Sequence, residues 1–149
     1  MTTRLNYFAT SPQAMDILLT QEGYIGEAFK DNKRLLELVK IRVSQINQCA
    51  LCIDMHSKDA LKFGESFERI YGLSAWQDMP GYSEHEQKAL QWAELITSAQ
   101  AITDENYQEA LQALGEQTLV DLTIAINAIN SWNRIAKAFK PAVGSFDNI

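Results

Sequence analysis

The sequence predicts an all-α fold, and three observations carry that prediction. Three prolines and seven glycines in 149 residues leave little of the punctuation that a chain of short strands needs. Apolar residues recur at three- and four-residue spacing through nearly the whole chain. Helix start and stop signals bracket those periodic stretches.

Taken in order, Ser11-Pro12 opens the first predicted helix. Serine can cap free N–H groups, and proline suits the first helical position because its missing N–H is not needed there. This helix is expected to reach about Phe29. A second, about Lys33 to Asn47, sets Leu35, Leu38, Val39, Val43 and Ile46 on one stripe, interrupted by Arg42. A third starts at Gln48 or Cys49 and stops at Gly64, where glycine can take the left-handed terminal conformation. A short helix from Ser66 to about Tyr71 follows, and Leu73 to Tyr82, containing Met79-Pro80-Gly81, reads as a long connection. Ser83-Glu84-His85-Glu86 has the spacing of a capping box ahead of a helix to about Ala99. Asp104 to Leu114, stopped by Gly115, and Thr118 to Phe139, stopped before Pro141, complete about six to seven helices. No repeat, low-complexity tract or boundary divides the chain, so residues 1–149 are expected to form one domain.

The last helix has an unusual surface. Leu119, Leu122, Ile124, Ile126, Ile129, Trp132, Ile135 and Phe139 cover most of its circumference, while Asn127, Asn130, Asn133 and Arg134 fall within an arc of roughly 120°. Two readings stand: a core helix with a solvated polar stripe, or a helix held between its own core and a neighbouring subunit.

Charge and hydropathy narrow the function. Thirteen Lys and Arg against nineteen Asp and Glu give a net charge of −6, which disfavours nucleic acid and anionic membrane surfaces as partners. The longest apolar run, Cys49 to Ile53, is five residues, far short of the roughly 20 that a spanning helix needs. The N-terminus Met1-Thr2-Thr3-Arg4-Leu5-Asn6 lacks the apolar stretch of a secretory signal, so the expected compartment is the cytoplasm. Thiols are kept reduced there, and Cys49-Ala50-Leu51-Cys52 then suggests catalysis or metal binding more than a permanent disulfide.

Cys49, Cys52 and His56 stand at relative positions 0, 3 and 7, within about 60° of one another on a helix. The helix N-terminus supplies unpaired N–H groups and a partial positive charge, both of which favour thiolate. Lowering a thiol from a pKa of ~8.5 by ~1.5 units would leave about half of it ionised at pH 7, for roughly 2 kcal/mol. Two cysteines at this spacing can form a disulfide with modest local adjustment. The same residues could instead supply three ligands to zinc, although the fourth would have to be a carboxylate. Two small buried hydrophobes are the plainest alternative.

The segment from Leu35 through Glu37, Cys49, Cys52 and His56 to Gly64 resembles the alkylhydroperoxidase D-like members of the carboxymuconolactone decarboxylase family. The pattern Glu-x11-Cys-x2-Cys-x3-His is matched without insertion or deletion. Looser similarity continues through Ser83–Glu94, Ala128–Arg134 and Phe139-Lys140-Pro141, and residues 1 to 30 match least. The resemblance implies an alkylhydroperoxidase D-like helical domain and an antioxidant thiol peroxidase. In it Cys52 attacks the peroxide, Cys49 resolves the sulfenic acid into a disulfide, and His56 with Glu37 relays the proton. It further implies a hydroperoxide substrate and a dithiol reductant, either dihydrolipoamide-like or a thioredoxin-like protein. Assembly into a homo-oligomer, often a trimer or hexamer, is implied as well. No nucleotide fingerprint is present, so no bound cofactor is expected. General thiol–disulfide exchange, a Cys-x2-Cys-x3-His metal module and a lactone decarboxylase remain the alternatives. The decarboxylase branch generally lacks the paired cysteines.

Overall fold

A computed structural model describes residues 3–146, so the extreme ends of the expected 1–149 domain lie outside the described residues. Those residues form eight α-helices and one 3₁₀ turn. The helices are α1 (Tyr7–Thr10), α2 (Pro12–Ala28), α3 (Lys33–Ile46), α4 (Ala50–Lys62), α5 (Phe67–Gly72), α6 (Glu84–Thr97), α7 (Asp104–Leu114) and α8 (Glu116–Phe139). The turn, Leu73–Ala75, follows α5 directly. No strand occurs among the described residues.

Helix α3 is the axis of the molecule and packs against α4, α6 and α8. Nine of its fourteen residues are buried, including Leu35, Leu38, Val39, Ile41 and Val43. Each fully buried aliphatic side chain contributes roughly 1.5–3 kcal/mol. From α8, Leu122, Ile126 and Ile129 meet this core, and Ala89, Leu90 and Ala93 do so from α6. Because α3 is covered on so many sides, the polar residues it carries inward must find partners inside the protein. Glu37, Lys40 and Ser44 are those residues, and they lead to the site.

Most helix ends follow the expected chemistry. Ser83 and Glu86 form the capping box in full: the serine hydroxyl accepts from the Glu86 N–H, and the Glu86 carboxylate accepts from the Ser83 N–H. Thr103 caps α7 through the Asn106 N–H. Gly115 (φ +79°) and Gly64 (φ +85°) occupy the left-handed conformations expected after α7 and α4.

The structure corrects or extends the expectations at four places. Ser11 stands at the N-cap of α2 but its side chain makes no capping bond, because the same residue also ends the preceding helix. That preceding turn, α1, was not anticipated, since four residues are too few to establish a period. Leu73 to Tyr82 is the expected long connection, between α5 and α6, and its Leu73, Trp76 and Tyr82 turn into the core. The polar arc of α8 is not a solvated stripe either. Asn127 and Arg134 are exposed, but Asn130 and Asn133 are buried.

Candidate active site

The link between α3 and α4 sets the geometry of the cysteines. Asn47 ends α3 in helical conformation, Gln48 turns left-handed (φ +56°), and Cys49 extends as the N-cap of α4. A left-handed residue other than glycine costs roughly 1–2 kcal/mol, so the turn needs tertiary support. Several bonds supply it. The Cys49 N–H donates to the Ser44 carbonyl at 2.9 Å. The Lys137 ammonium donates to the Asn47 carbonyl at 2.7 Å. The Asn47 amide donates to Asn130 Oδ1 at 2.8 Å and Asn133 Oδ1 at 2.9 Å. The two buried asparagines of α8 thus tie the cysteine turn to the core.

Both cysteines are free and buried, Cys49 at 2% and Cys52 at 3% exposure. They titrate as a pair. An S–H···S interaction with Cys52 lowers the Cys49 thiol to about 7 against the opposition of burial, with help from Lys137 and Asn133. The same interaction, together with burial, pushes the Cys52 thiol up. The physical content is that one sulfur ionises near neutrality and the second S–H then holds its proton against the neighbouring thiolate. Asn133 favours the ionised form of both sulfurs while donating to Ser44 Oγ at 3.0 Å.

One and two turns on from the cysteines, α4 presents His56 and Asp59. His56 Nδ1 lies 2.7 Å from Glu37 Oε2, and both side chains are buried. An ionised carboxylate only accepts, so this bond places the proton on Nδ1 and leaves Nε2 as the basic nitrogen. One ligand atom each from Glu37, His56 and Asp59 lies within 4.8 Å of the others. Neither cysteine joins this cluster among the described residues. Asp59 is also paired with Lys62 at 2.8 Å.

The site opens on a cavity of about 190 Å³ whose lining includes Cys52, His56, Tyr7, Phe8, Met55 and Trp132. Its one acidic wall residue, Glu22, is neutralised by buried Lys40 at 2.9 Å and accepts from the Trp132 indole at 3.1 Å. No Lys or Arg lines this cavity. Phe8 stacks on Trp132 with ring centroids 6.3 Å apart, and Phe146 closes on the far side of Phe8 at 6.1 Å. Segments from both ends of the described chain therefore wall the cavity beside the cysteines.

A sequence profile of the Carboxymuconolactone decarboxylase family matches residues 13–95. The chain belongs to this family. Among members and relatives, it is 44% identical over 140 residues to the uncharacterized protein YdfG of Bacillus subtilis (strain 168), covering 93% of this chain and 95% of that one. It is 28% identical over 109 residues to the uncharacterized protein YnjA of Escherichia coli (strain K12), covering 72% and 60%. The fold superposes on that of a protein of unknown function from Agrobacterium tumefaciens, a candidate antioxidant defence protein AhpD. The TM-score is 0.89 at 34% identity, with 95% and 97% of the chains covered. An uncharacterized peroxidase-related protein from Silicibacter sp. TM1040 shares the fold at a TM-score of 0.78 and 17% identity. The all-helical architecture of the carboxymuconolactone decarboxylase family, in its AhpD-like form, is thus the architecture of this chain. No described helix is long and apolar enough to cross a membrane.

The structure places all four residues singled out in the sequence in one region: His56 bonds Glu37, the two sulfurs interact, and Cys52 shares the cavity wall with His56. Sequence reasoning missed Tyr7, Asp59 and the Glu22–Trp132 wall. It noted Asn133 only as part of a polar arc. A lone polar position inside an otherwise apolar helix face was the available signal for Asn133. Nothing local marked Tyr7.

Proposed function

We propose that this protein is an antioxidant thiol peroxidase that reduces organic hydroperoxides through Cys49 and Cys52. The observation that carries this reading is a free, buried dithiol set beside a Glu37-oriented histidine at the mouth of an apolar cavity. Only Cys52 of the two sulfurs lines that cavity, so it is the one that meets a peroxide.

At rest the neighbouring Cys49 sulfur and burial keep the proton on Cys52, so the step needs a base: His56 Nε2 accepts that proton, and Glu37 stabilises the imidazolium through its bond to Nδ1. The Cys52 thiolate attacks the terminal peroxide oxygen. The S–O bond forms as the O–O bond breaks, leaving Cys52 sulfenic acid and an alkoxide that takes up the proton held by His56. Cys49, whose ionised form Lys137 and Asn133 favour, then attacks the Cys52 sulfur as thiolate. The sulfenic hydroxyl leaves with a proton as water, and a Cys49–Cys52 disulfide remains. An external dithiol supplies the two electrons that return the pair to its reduced state. The cavity wall is largely apolar, and no Lys or Arg lines it to hold the carboxylates of a lactone acid. This supports the peroxidase reading over decarboxylation.

The test is to count free thiols before and after addition of cumene hydroperoxide and to map any Cys49–Cys52 bond by mass spectrometry. Loss of two thiols per chain is expected, with steady turnover when dihydrolipoamide or a thioredoxin-like protein is supplied. Cys52→Ser should abolish turnover, and Cys52→Ser turnover equal to wild type would overturn the reading. A second reading, disulfide exchange without peroxide chemistry, is favoured by the lowered Cys49 thiol. In that case Cys49 is the attacking sulfur, and Cys52→Ser accumulates a mixed disulfide at Cys49 while the wild type ignores peroxide.

A further inference from the structure

Tyr7 is 7% exposed and lines the same cavity as Cys52 and His56. Its ring is held firmly. It lies 5.0 Å from the Phe8 ring and 5.6 Å from the Phe139 ring, and the turn that carries it is capped by Asn6. Just before that turn, the Arg4 N–H donates to the Phe139 carbonyl at 2.9 Å, and the Arg4 guanidinium donates to the Ala138 carbonyl at 3.1 Å. The hydroxyl, by contrast, has no hydrogen-bond partner among the described residues. Its oxygen is not sealed in the core, so it is open to a group that enters the cavity. The groups it feels are the sulfurs: burial first, then Cys52, then Cys49, push its ionisation upward. The phenol thus stays protonated beside the place where negative charge appears.

Resting on the peroxidase reading above, we propose that Tyr7 is a catalytic residue whose hydroxyl donates to the departing oxygen of the peroxide. When the Cys52 thiolate takes the terminal oxygen, the O–O bond breaks and the pair of electrons stays on RO⁻. The Tyr7 hydroxyl gives its proton to RO⁻, which leaves as ROH. The phenolate recovers a proton from the imidazolium of His56, the one taken earlier from Cys52. The sum is thiol plus hydroperoxide giving sulfenic acid plus alcohol, with no proton gained or lost. The donor is preorganised, so it aids the transition state without reorganising at the moment of reaction.

Tyr7→Phe keeps the ring and removes only the donor. The reduced protein is mixed with excess oxidant, without reductant, and thiol loss is timed. Three oxidants are compared: hydrogen peroxide, cumene hydroperoxide and peracetic acid. Acetate is a good leaving group that needs no proton, whereas hydroxide and alkoxide are poor ones. The variant should slow the two hydroperoxides by about tenfold or more and leave peracetic acid within about threefold of wild type, with the pH profile of iodoacetamide labelling unchanged. Equal slowing of all three oxidants, no slowing of any, or a shifted labelling profile that accounts for the loss would each overturn the role of Tyr7. Failure of the peroxidase reading is visible separately, as a wild-type protein that consumes neither hydroperoxide.

Discussion

Two buried polar clusters on this fold teach by their difference. Around Arg69, at the junction of α5 and α6, opposite charges face one another, although Glu65 Oε2 and Arg69 Nε make no well-directed hydrogen bond. Arg69 meets Glu65 at 2.9 Å and Glu86 at 2.5 Å, donates to the Gly81 carbonyl, and lies 4.8 Å from the centre of the Tyr82 ring. The Tyr82 hydroxyl donates back to the Arg69 carbonyl. Burial opposes ionisation of Glu86, yet hydrogen bonds from Arg69 and Ser83 hold its carboxyl below the ordinary range. Around Cys49 and Cys52 the pairing is deliberately incomplete. Two thiols share one site, a phenol has no partner, and a histidine keeps one nitrogen open to a cavity. Opposite charges held together lock a fold, whereas thiols, a phenol and an imidazole beside a cavity are available for chemistry.

That contrast can be broken in order of effect. Arg69→Met should have the largest effect on stability, because it strands Glu65, whose side chain is 2% exposed, and Glu86. A loss of about 3 kcal/mol is expected, which lowers the thermal midpoint by roughly 10 °C. Iodoacetamide labelling of the cysteines at a permissive temperature should not change. A thiol profile that moves with Arg69 would mean that the clusters are coupled.

Asn133→Asp should do the converse. In wild type, labelling of Cys49 should be half-maximal near pH 7, following its lowered thiol. Thiolate persists above that value and is lost as pH falls through it, by about tenfold per unit. Aspartate in place of the Asn133 amide puts a negative charge beside both sulfurs, so the midpoint must move up. An unmoved midpoint would remove Asn133 from the site. The smallest effect belongs to Ser83→Ala, which deletes one half of the capping box. It should cost about 1 kcal/mol in denaturant unfolding and leave thiol loss to peroxide untouched.

How much was legible in the sequence follows local range. The Glu37-x11-Cys49-x2-Cys52-x3-His56 pattern lies on two adjacent helices, so spacing alone puts Cys52 and His56 one turn apart. Helix α7 was read with its observed bounds, Asp104 to Leu114, and Gly115 marks its end chemically. The buried Asn130 and Asn133 were read with exposed Asn127 and Arg134 because a helical wheel shows which residues share a face, but not what covers that face. Tyr7 was invisible because its meaning depends on Phe139, more than a hundred residues away. Trp132 is similar: its indole is held by Glu22 from α2.

The amino-acid sequence alone therefore determined the longer helices, the α6 capping box and the spacing of Cys49, Cys52 and His56, since each depends on residues within a turn or two of one another. Only the tertiary structure decided which sulfur faces a cavity, which asparagines are dry and which hydroxyl is left unpaired. Those properties arise when α3 is buried beneath α4, α6 and α8 and segments near both ends of the described residues wall the cavity beside Cys52. Desolvation and long-range hydrogen bonding are set by what covers a residue, and sequence spacing carries no record of that.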